Sequence, residues 1–280
     1  MGTPLRALAQ GDLVAAPEGA FCAMIPVYVI NLLRSPERRA FMVEQGAKAG
    51  FQPIFVDAVD GRRRRSPKPL RLSVAETALI LSHRKVWRRF LASGGDFAVV
   101  LEDDVHLGAD FAALLAADWT APAFDAVKFE TLFHRVWLAR EGTPLAGRRL
   151  RRLGAEHLAS AGYLVSRAGA RKMLAMTRGL AEPVDHTLFG RETVFEGRLE
   201  VWQLDPAAVV QDNMRPDAAA RAALGTTLHE QDRARLAQAA RRGKPRGVAR
   251  LVREAQRFKD QIRRFARFVG RYRRERVNWR

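Results

Sequence analysis

Cys22 is the only cysteine in the chain, so no intramolecular disulfide can form and a four-cysteine zinc site is excluded. That scarcity fits a reducing compartment. Long apolar runs are missing too: no window reaches the roughly 18 consecutive apolar residues of a spanning helix. The opening MGTPLRALAQGDLVAAPEGAFCAM lacks the continuous apolar region of a signal peptide. The expected location is therefore the cytoplasm. Residues 1–23, ahead of the first strand-like run, are expected to be a disordered extension or a product of start-codon choice. No internal repeat is present. Acidic residues are the minority, 30 against 48 basic ones, for a formal charge of +18. Residues 215–280 hold 20 basic and 6 acidic residues, or +14 of that total. A surface so charged attracts something anionic.

What is present is enough for a substantial core: 280 residues, 48% of them apolar. IPVYVINL (25–32) reads as a strand, followed by a helix in which Ser35 caps and Pro36 takes the first turn. FQPIFVDAVDG gives a second strand. The basic loop RRRRSPKPLR leads to a helix through SVAETALILSHRKVWRRFLASGG. FAVVLEDD, FDAVKFE and SAGYLVS read as three further strands, and RAGARKMLAMTRG as a helix. This alternation predicts an α/β domain with a mostly parallel sheet.

In such sheets the ligand lies beyond the carboxyl ends of the strands. Glu102, Asp103 and Asp104 occupy that place on the third strand, with Asn31 ending the first and Asp57 and Asp60 the second. Strand-end acids of this sort either cap a helix and face solvent or converge on a ligand, and the presence of polar groups at several strand ends favours convergence. Clustered carboxylates repel one another unless a cation or proton compensates them. Hard oxygen donors suit magnesium, calcium or manganese, with water and substrate phosphates completing the shell. A metal-bound nucleotide diphosphate fits that chemistry.

VYVINLLRSPERR, VDAVDG, AETALILSHRKVW, VVLEDDV, SAGYLVSRAGARKML and PVDHTLF occur in this order over roughly residues 25–190. Together they resemble glycosyltransferase family 25, the lipooligosaccharide glycosyltransferases related to collagen galactosyltransferases. The resemblance implies a GT-A-like nucleotide-sugar domain over 24–214 and a divalent cation, usually manganese. It further implies inverting transfer of a hexose, often galactose, from a UDP-sugar to a saccharide or glycolipid acceptor. On that pattern Glu102, Asp103 and Asp104 stand at the acidic metal-nucleotide motif, Asp185 at the Asp after PV, and Glu76, Ser82 and His83 in the Glu and Ser-His block. Ala75, Ala78 and Leu79 depart from the Gly, Gly and Cys usual there, which bears on donor choice more than on fold.

Asp104 is the leading expected metal ligand and Glu102 the second; side chains alternate along a strand, so 102 and 104 are expected to share a face, with Asp103 turned toward the ribose. Asn31, Arg38, Asp57, Asp60, Glu76 and His83 are the expected donor-binding residues. Asn31 equally suits a turn cap, and Arg38 and Arg39 suit phosphate contact or plain solvation. A lone His83 on an amphipathic helix equally suits the core. Inverting transfer needs a base for the acceptor hydroxyl: Asp185 is the leading candidate, although it also suits a helix cap, and Glu130 is the reserve.

In the tail, Leu251, Ala255, Phe258, Ile262, Phe265, Val269 and Tyr272 step by 4 and 3 along one helical face among arginines. Residues 215–280 are thus expected to be a basic helical region, packed on the domain, paired as a coiled coil, or lying on anionic lipid at the inner membrane face, with Phe and Trp beside so many arginines favouring the lipid surface. Two other functions compete. A nucleic-acid-binding protein would use the basic aromatic tail but leave the carboxylates unexplained, so nucleic acid is not an expected partner. A non-catalytic nucleotide-sugar-binding protein would keep the site without turnover.

Overall fold

A computed structural model describes residues 24–63, 72–215, 224, 259, 262 and 268–280. In chain order, β1 (Val27–Asn31), α1 (Pro36–Lys48), β2 (Ile54–Asp57), α2 (Val74–Ser93), β3 (Phe97–Glu102), β4 (Val105–Leu107), α3 (Phe111–Leu115) and β5 (Ala126–Lys128) build the first half. β6 (Arg135–Ala139), β7 (Thr143–Leu145), β8 (Arg148–Arg152), β9 (Gly162–Ser166), α4 (Arg167–Met176), α5 (Val184–Phe189), α6 (Arg191–Phe195), β10 (Val201–Asp205), β11 (Val209–Gln211) and β12 (Tyr272–Arg276) complete it.

Eight strands form one sheet in the order β2-β1-β3-β9-β5-β10-β8-β7. The apolar runs of β1 and β3 are continuous because both faces of the sheet are covered. Tyr28, Ile30 and Val100 enter one core with Trp87, Phe90, Met173 and Phe189 from α2, α4 and α5. Val27, Val29, Val99 and Leu101 enter the other with Met42, Phe111 and Leu114 from α1 and α3. Helix α2 starts where the sequence asks: Ser73 and Glu76 form a reciprocal capping box, and Gly94 ends the helix at φ 84°.

The sheet is mixed. β2–β1, β1–β3 and β5–β10 pair in parallel, and the other four pairings are antiparallel. The parallel sheet expected from the alternation is found in the first three strands, and the departure begins at β9. This strand enters between β3 and β5 from the opposite direction, which brings the loop ahead of it, 154–161, to the carboxyl ends of both neighbours. β9 opens on glycine for a steric reason: a Cβ at Gly162 would lie 2.6 Å from Val209 Cγ1.

The chain end is also part of the fold. β12 pairs antiparallel with β6, Phe268 stacks on Trp137 at 4.9 Å, and Val277 is fully buried. Arg151, itself buried, fastens the strand through Glu275 at 2.6 Å and Asp205 at 3.0 Å. Tyr272, expected on a helical stripe, is therefore the first residue of a strand. The reason is tertiary: from Tyr272 onward the edge of β6 supplies backbone partners, and Trp137 on it meets Phe268. The rest of the stripe, apart from Ile262 and Val269, lies outside the described residues. So do residues 1–23.

Candidate active site

β3 ends at Glu102, and Asp103 and Asp104 form the turn into β4. Strand alternation therefore stops before Asp104, and the expectation that 102 and 104 share a strand face does not hold; the turn, not the pleat, brings them together. Asp103 turns to the α1 side. Its Oδ1 accepts from Arg38 at 2.7 Å and its Oδ2 from Asn31 Nδ2 at 2.8 Å, and all three residues are buried. Asn31 and Asp103, expected at the donor, are engaged with each other beneath it. Arg38 also reaches Asp104 Oδ2 at 3.5 Å and so faces the carboxylates from inside the protein. Arg39 instead lies over the Phe55 ring.

Glu102 turns to the α2 side, toward His83. His83 is fully buried, with Nδ1 2.9 Å from Tyr163 Oη, and that hydroxyl also accepts from Trp87 Nε1 at 2.8 Å. Trp can only donate, so the simplest complete network has Tyr163 donating to Nδ1. The remaining proton of His83 is then on Nε2, 3.8 Å from Glu102 Oε1. Burial pushes His83 down to about 4, leaving it neutral at physiological pH.

The loop ahead of β9 ties in the remaining acids, which come from α5 and from beyond the end of β5. The Ala159 N–H donates to Asp185 Oδ2 at 3.2 Å, Ser160 Oγ–H to Glu102 Oε1 at 3.4 Å, and the Ala161 N–H to Glu130 Oε2 at 3.1 Å. Three consecutive residues thus meet three carboxylates. Asp185, in the first turn of α5, is half-buried. Glu130 has no exposure and is paired with Lys128 at 3.0 Å. A sealed, ion-paired carboxylate cannot receive an acceptor's proton, which removes Glu130 as reserve base.

The other expected residues stand farther out. Glu76 receives the Ser73 N–H at 2.8 Å and so closes the first turn of α2, a capping role where donor contact was expected. Ser82 accepts from the Val59 N–H at 2.8 Å and shapes the loop carrying Asp57 and Asp60. Asp57 lies beside Asn31 in the sheet register, its carbonyl accepting from Lys85, and Asp60 pairs with Arg34 at 3.2 Å. The sequence reading missed Lys128, Ser160 and Tyr163. A lysine inside the apolar run DAVKFE was the available signal.

The cluster is electrostatically strained. Burial first, then Glu130, Asp103 and Asp185, pushes Glu102 up to about 8. Burial and Glu102 push Asp104 up to about 7, against the pull of Arg38. Asp104 Oδ1 and His83 Nε2 are buried without a hydrogen-bond partner among the described residues. An added cation would relieve both the repulsion and the orphaned oxygen. Among those residues no three His, Cys, Asp or Glu side chains form a ready cage. Two hard carboxylates suit magnesium or manganese, which need no all-protein shell because water and phosphate oxygens can complete it.

The model of glycosyltransferase family 25 (LPS biosynthesis protein) matches residues 24–188, the span that carries all of this geometry. The protein belongs to glycosyltransferase family 25. It is a glycosyltransferase of a family that includes lipooligosaccharide enzymes. The chain is 33% identical over 206 residues to the lacto-N-neotetraose biosynthesis glycosyltransferase LgtB of Neisseria gonorrhoeae, covering 66% of this chain and 74% of the relative. It is 25% identical over 205 residues to the lipooligosaccharide biosynthesis protein lic2B of Haemophilus influenzae, covering 66% and 75%. Among solved structures, a glycosyltransferase involved in glycosylating the major capsid of PBCV-1 aligns over 71% of this chain and 98% of its own. The TM-score there is 0.41 and the identity 12%. No helix among the described residues of this family 25 protein is long and apolar enough to cross a membrane.

Proposed function

We infer that the protein transfers a hexose, galactose in the first instance, from a UDP-sugar to a saccharide acceptor of a lipooligosaccharide or related surface glycan, with inversion at the anomeric carbon. The observation that carries this reading is the pair of carboxylates brought together where β3 turns into β4, Glu102 and Asp104, with Asp104 Oδ1 left without a hydrogen-bond partner among the described residues. A GT-A-like donor site needs acids at that place to hold a metal-bound diphosphate.

In this reading Asp104 and Glu102 would hold a divalent cation, most simply manganese. The cation would supply charge compensation for the departing diphosphate. Arg38 and Asn31 fix Asp103 and, through it, the turn that carries Asp104. His83 lies behind Glu102 on the α2 side, and Asp57 and Asp60, at and just beyond the end of β2, stand on the side proposed for the nucleoside. Asp185 takes the proton of the acceptor hydroxyl as its oxygen bonds to the anomeric carbon. The bond from that carbon to the β-phosphate oxygen breaks, and UDP leaves with the electron pair. A single displacement of this kind inverts the centre. Its base is expected to contribute about 10²–10⁴-fold in rate.

A glycolipid acceptor would bring the enzyme to an anionic surface at the cytoplasmic face of the membrane. Arg135, Arg273, Arg274 and Arg276 are exposed along the β6–β12 ribbon, so the described part of the basic tail offers its charge from strands. A donor screen that measures UDP release with manganese, with and without saccharide acceptors, tests the function. Release from one UDP-hexose that depends on both acceptor and metal is expected. Acceptor-independent binding without release would instead favour a protein that only holds nucleotide-sugar.

A further inference from the structure

Four polar side chains lie beneath the carboxylate cluster: Lys128, Glu130, His157 and Gln203, none more than 2% exposed. Lys128 Nζ donates to Glu130 Oε1 at 3.0 Å, to the Leu158 carbonyl at 3.0 Å and to the Ala159 carbonyl at 2.6 Å. All three ammonium protons are thereby used. The same nitrogen lies 4.3 Å from the centroid of the Phe189 ring, on the helix that carries Asp185. Gln203 fastens the loop a second time, donating to the Lys128 and Glu130 carbonyls while its Oε1 meets His157 Nδ1 at 2.7 Å.

A buried ion pair adds little net stability, because desolvating both charges offsets most of their attraction. What this one fixes is position. Ala159 holds φ at 71°, which a residue with a Cβ seldom adopts. Its carbonyl is gripped by Lys128, and its N–H is the donor to Asp185. The lysine thus contacts both elements that set the Asp185 carboxylate, the loop at Ala159 and α5 at Phe189.

We propose that Lys128 is a positioning residue for glycosyl transfer: its ammonium clamps the Leu158 and Ala159 carbonyls against α5 and so aims Asp185 at the acceptor hydroxyl, without touching either substrate. This rests on the reading of Asp185 as the base. The test is Lys128→Met/Glu130→Gln, which removes both buried charges together, leaving no unpaired ion, while Gln still accepts from the Ala161 N–H. The variant should fold with a somewhat lower melting temperature, two carbonyls having lost their donor, and bind UDP with manganese normally. Its kcat should fall by about 10²-fold, the loss that a ~1 Å misplacement brings, with donor KM little changed. A folded variant whose kcat stays within about threefold of wild type overturns the proposal. If that variant does not fold, Lys128→Gln/Glu130→Gln replaces it: the amide is one bond shorter and cannot reach both carbonyls. A fall of at least about tenfold in kcat is then expected, and kcat within about threefold again overturns the role. Asp185→Asn runs alongside. If it transfers at the wild-type rate, the reading of the base fails and takes the proposal with it. If it is inactive while the double variant is active, only the role of Lys128 fails.

Discussion

Replacing Glu102 with glutamine should stabilise the metal-free protein in mildly alkaline solution and leave its stability nearly unchanged in mild acid. In the fold, burial and the carboxylates of Glu130, Asp103 and Asp185 push Glu102 from 4.5 up to about 8. A carboxyl whose folded pKa exceeds its unfolded value stabilises the fold fully below the unfolded pKa, and that contribution is lost as pH rises through the folded one. The window runs from 4.5 to about 8. At ~1.36 kcal/mol per unit, the whole shift is worth on the order of 5 kcal/mol. Asp104, itself pushed up to about 7 partly by Glu102, shares the same repulsion. The Glu102 side chain also keeps 17% exposure. The expectation is therefore about 2–3 kcal/mol. Glutamine keeps the shape and the bond from Ser160 while carrying no charge. Urea unfolding of both proteins in EDTA, at about pH 5 and about pH 8.5, reads the effect directly. The variant should gain about 2–3 kcal/mol on wild type between the two conditions. Added manganese should restore wild type at the higher pH and do little for the variant. A stability difference that is the same at both pH values would refute the electrostatic account of the cluster.

Two further outcomes concern the chain end. Deleting residues 268–280 removes Val277, Phe268 and Tyr272 from the core; at about 1.5–3 kcal/mol for each such side chain, the loss should be on the order of 5 kcal/mol, seen as a large fall in melting temperature or as insoluble protein. Arg273→Gln, Arg274→Gln and Arg276→Gln together should weaken co-sedimentation with vesicles rich in anionic lipid, each charge being worth about 1 kcal/mol, while transfer to a soluble acceptor fragment stays intact. Unchanged sedimentation would remove the ribbon from any membrane contact.

The N-terminal half of the fold was legible because its signals are local. The apolar runs of β1 and β3 each act within a few residues; the Ser73–Glu76 box is as local, but Glu76 was read as a donor contact instead. The place of the acids at the end of β3 was legible for the same reason, but the turn through Asp103 and Asp104 was not, since the strand was expected to include both. β6, β8 and β12 were not, since RVWLA, RRLRR and YRRER carry arginines that look like solvated surface. Their strand character depends on distant partners, such as Arg151 with Asp205 and Glu275. The direction of β9 was hidden too, because antiparallel insertion between β3 and β5 is a tertiary choice that leaves no periodicity. With it went the roles of Lys128 and Ser160, which depend on the loop that β9 brings to the site. Glu76 and Glu130 show the converse: an acid at a suggestive place in sequence can be consumed by a cap or a buried lysine.

Calorimetric titration of UDP into wild type and Asp104→Asn, each with manganese and with EDTA, tests the central claim most directly. If the acidic turn holds the cation that holds the donor, wild type binds UDP far more tightly with manganese than without. Asp104→Asn loses that metal-dependent increment while its melting temperature stays at or above that of wild type, because a repelled carboxylate has been removed. UDP affinity in Asp104→Asn equal to wild type in the presence of manganese would contradict the account and move the donor site elsewhere on the molecule.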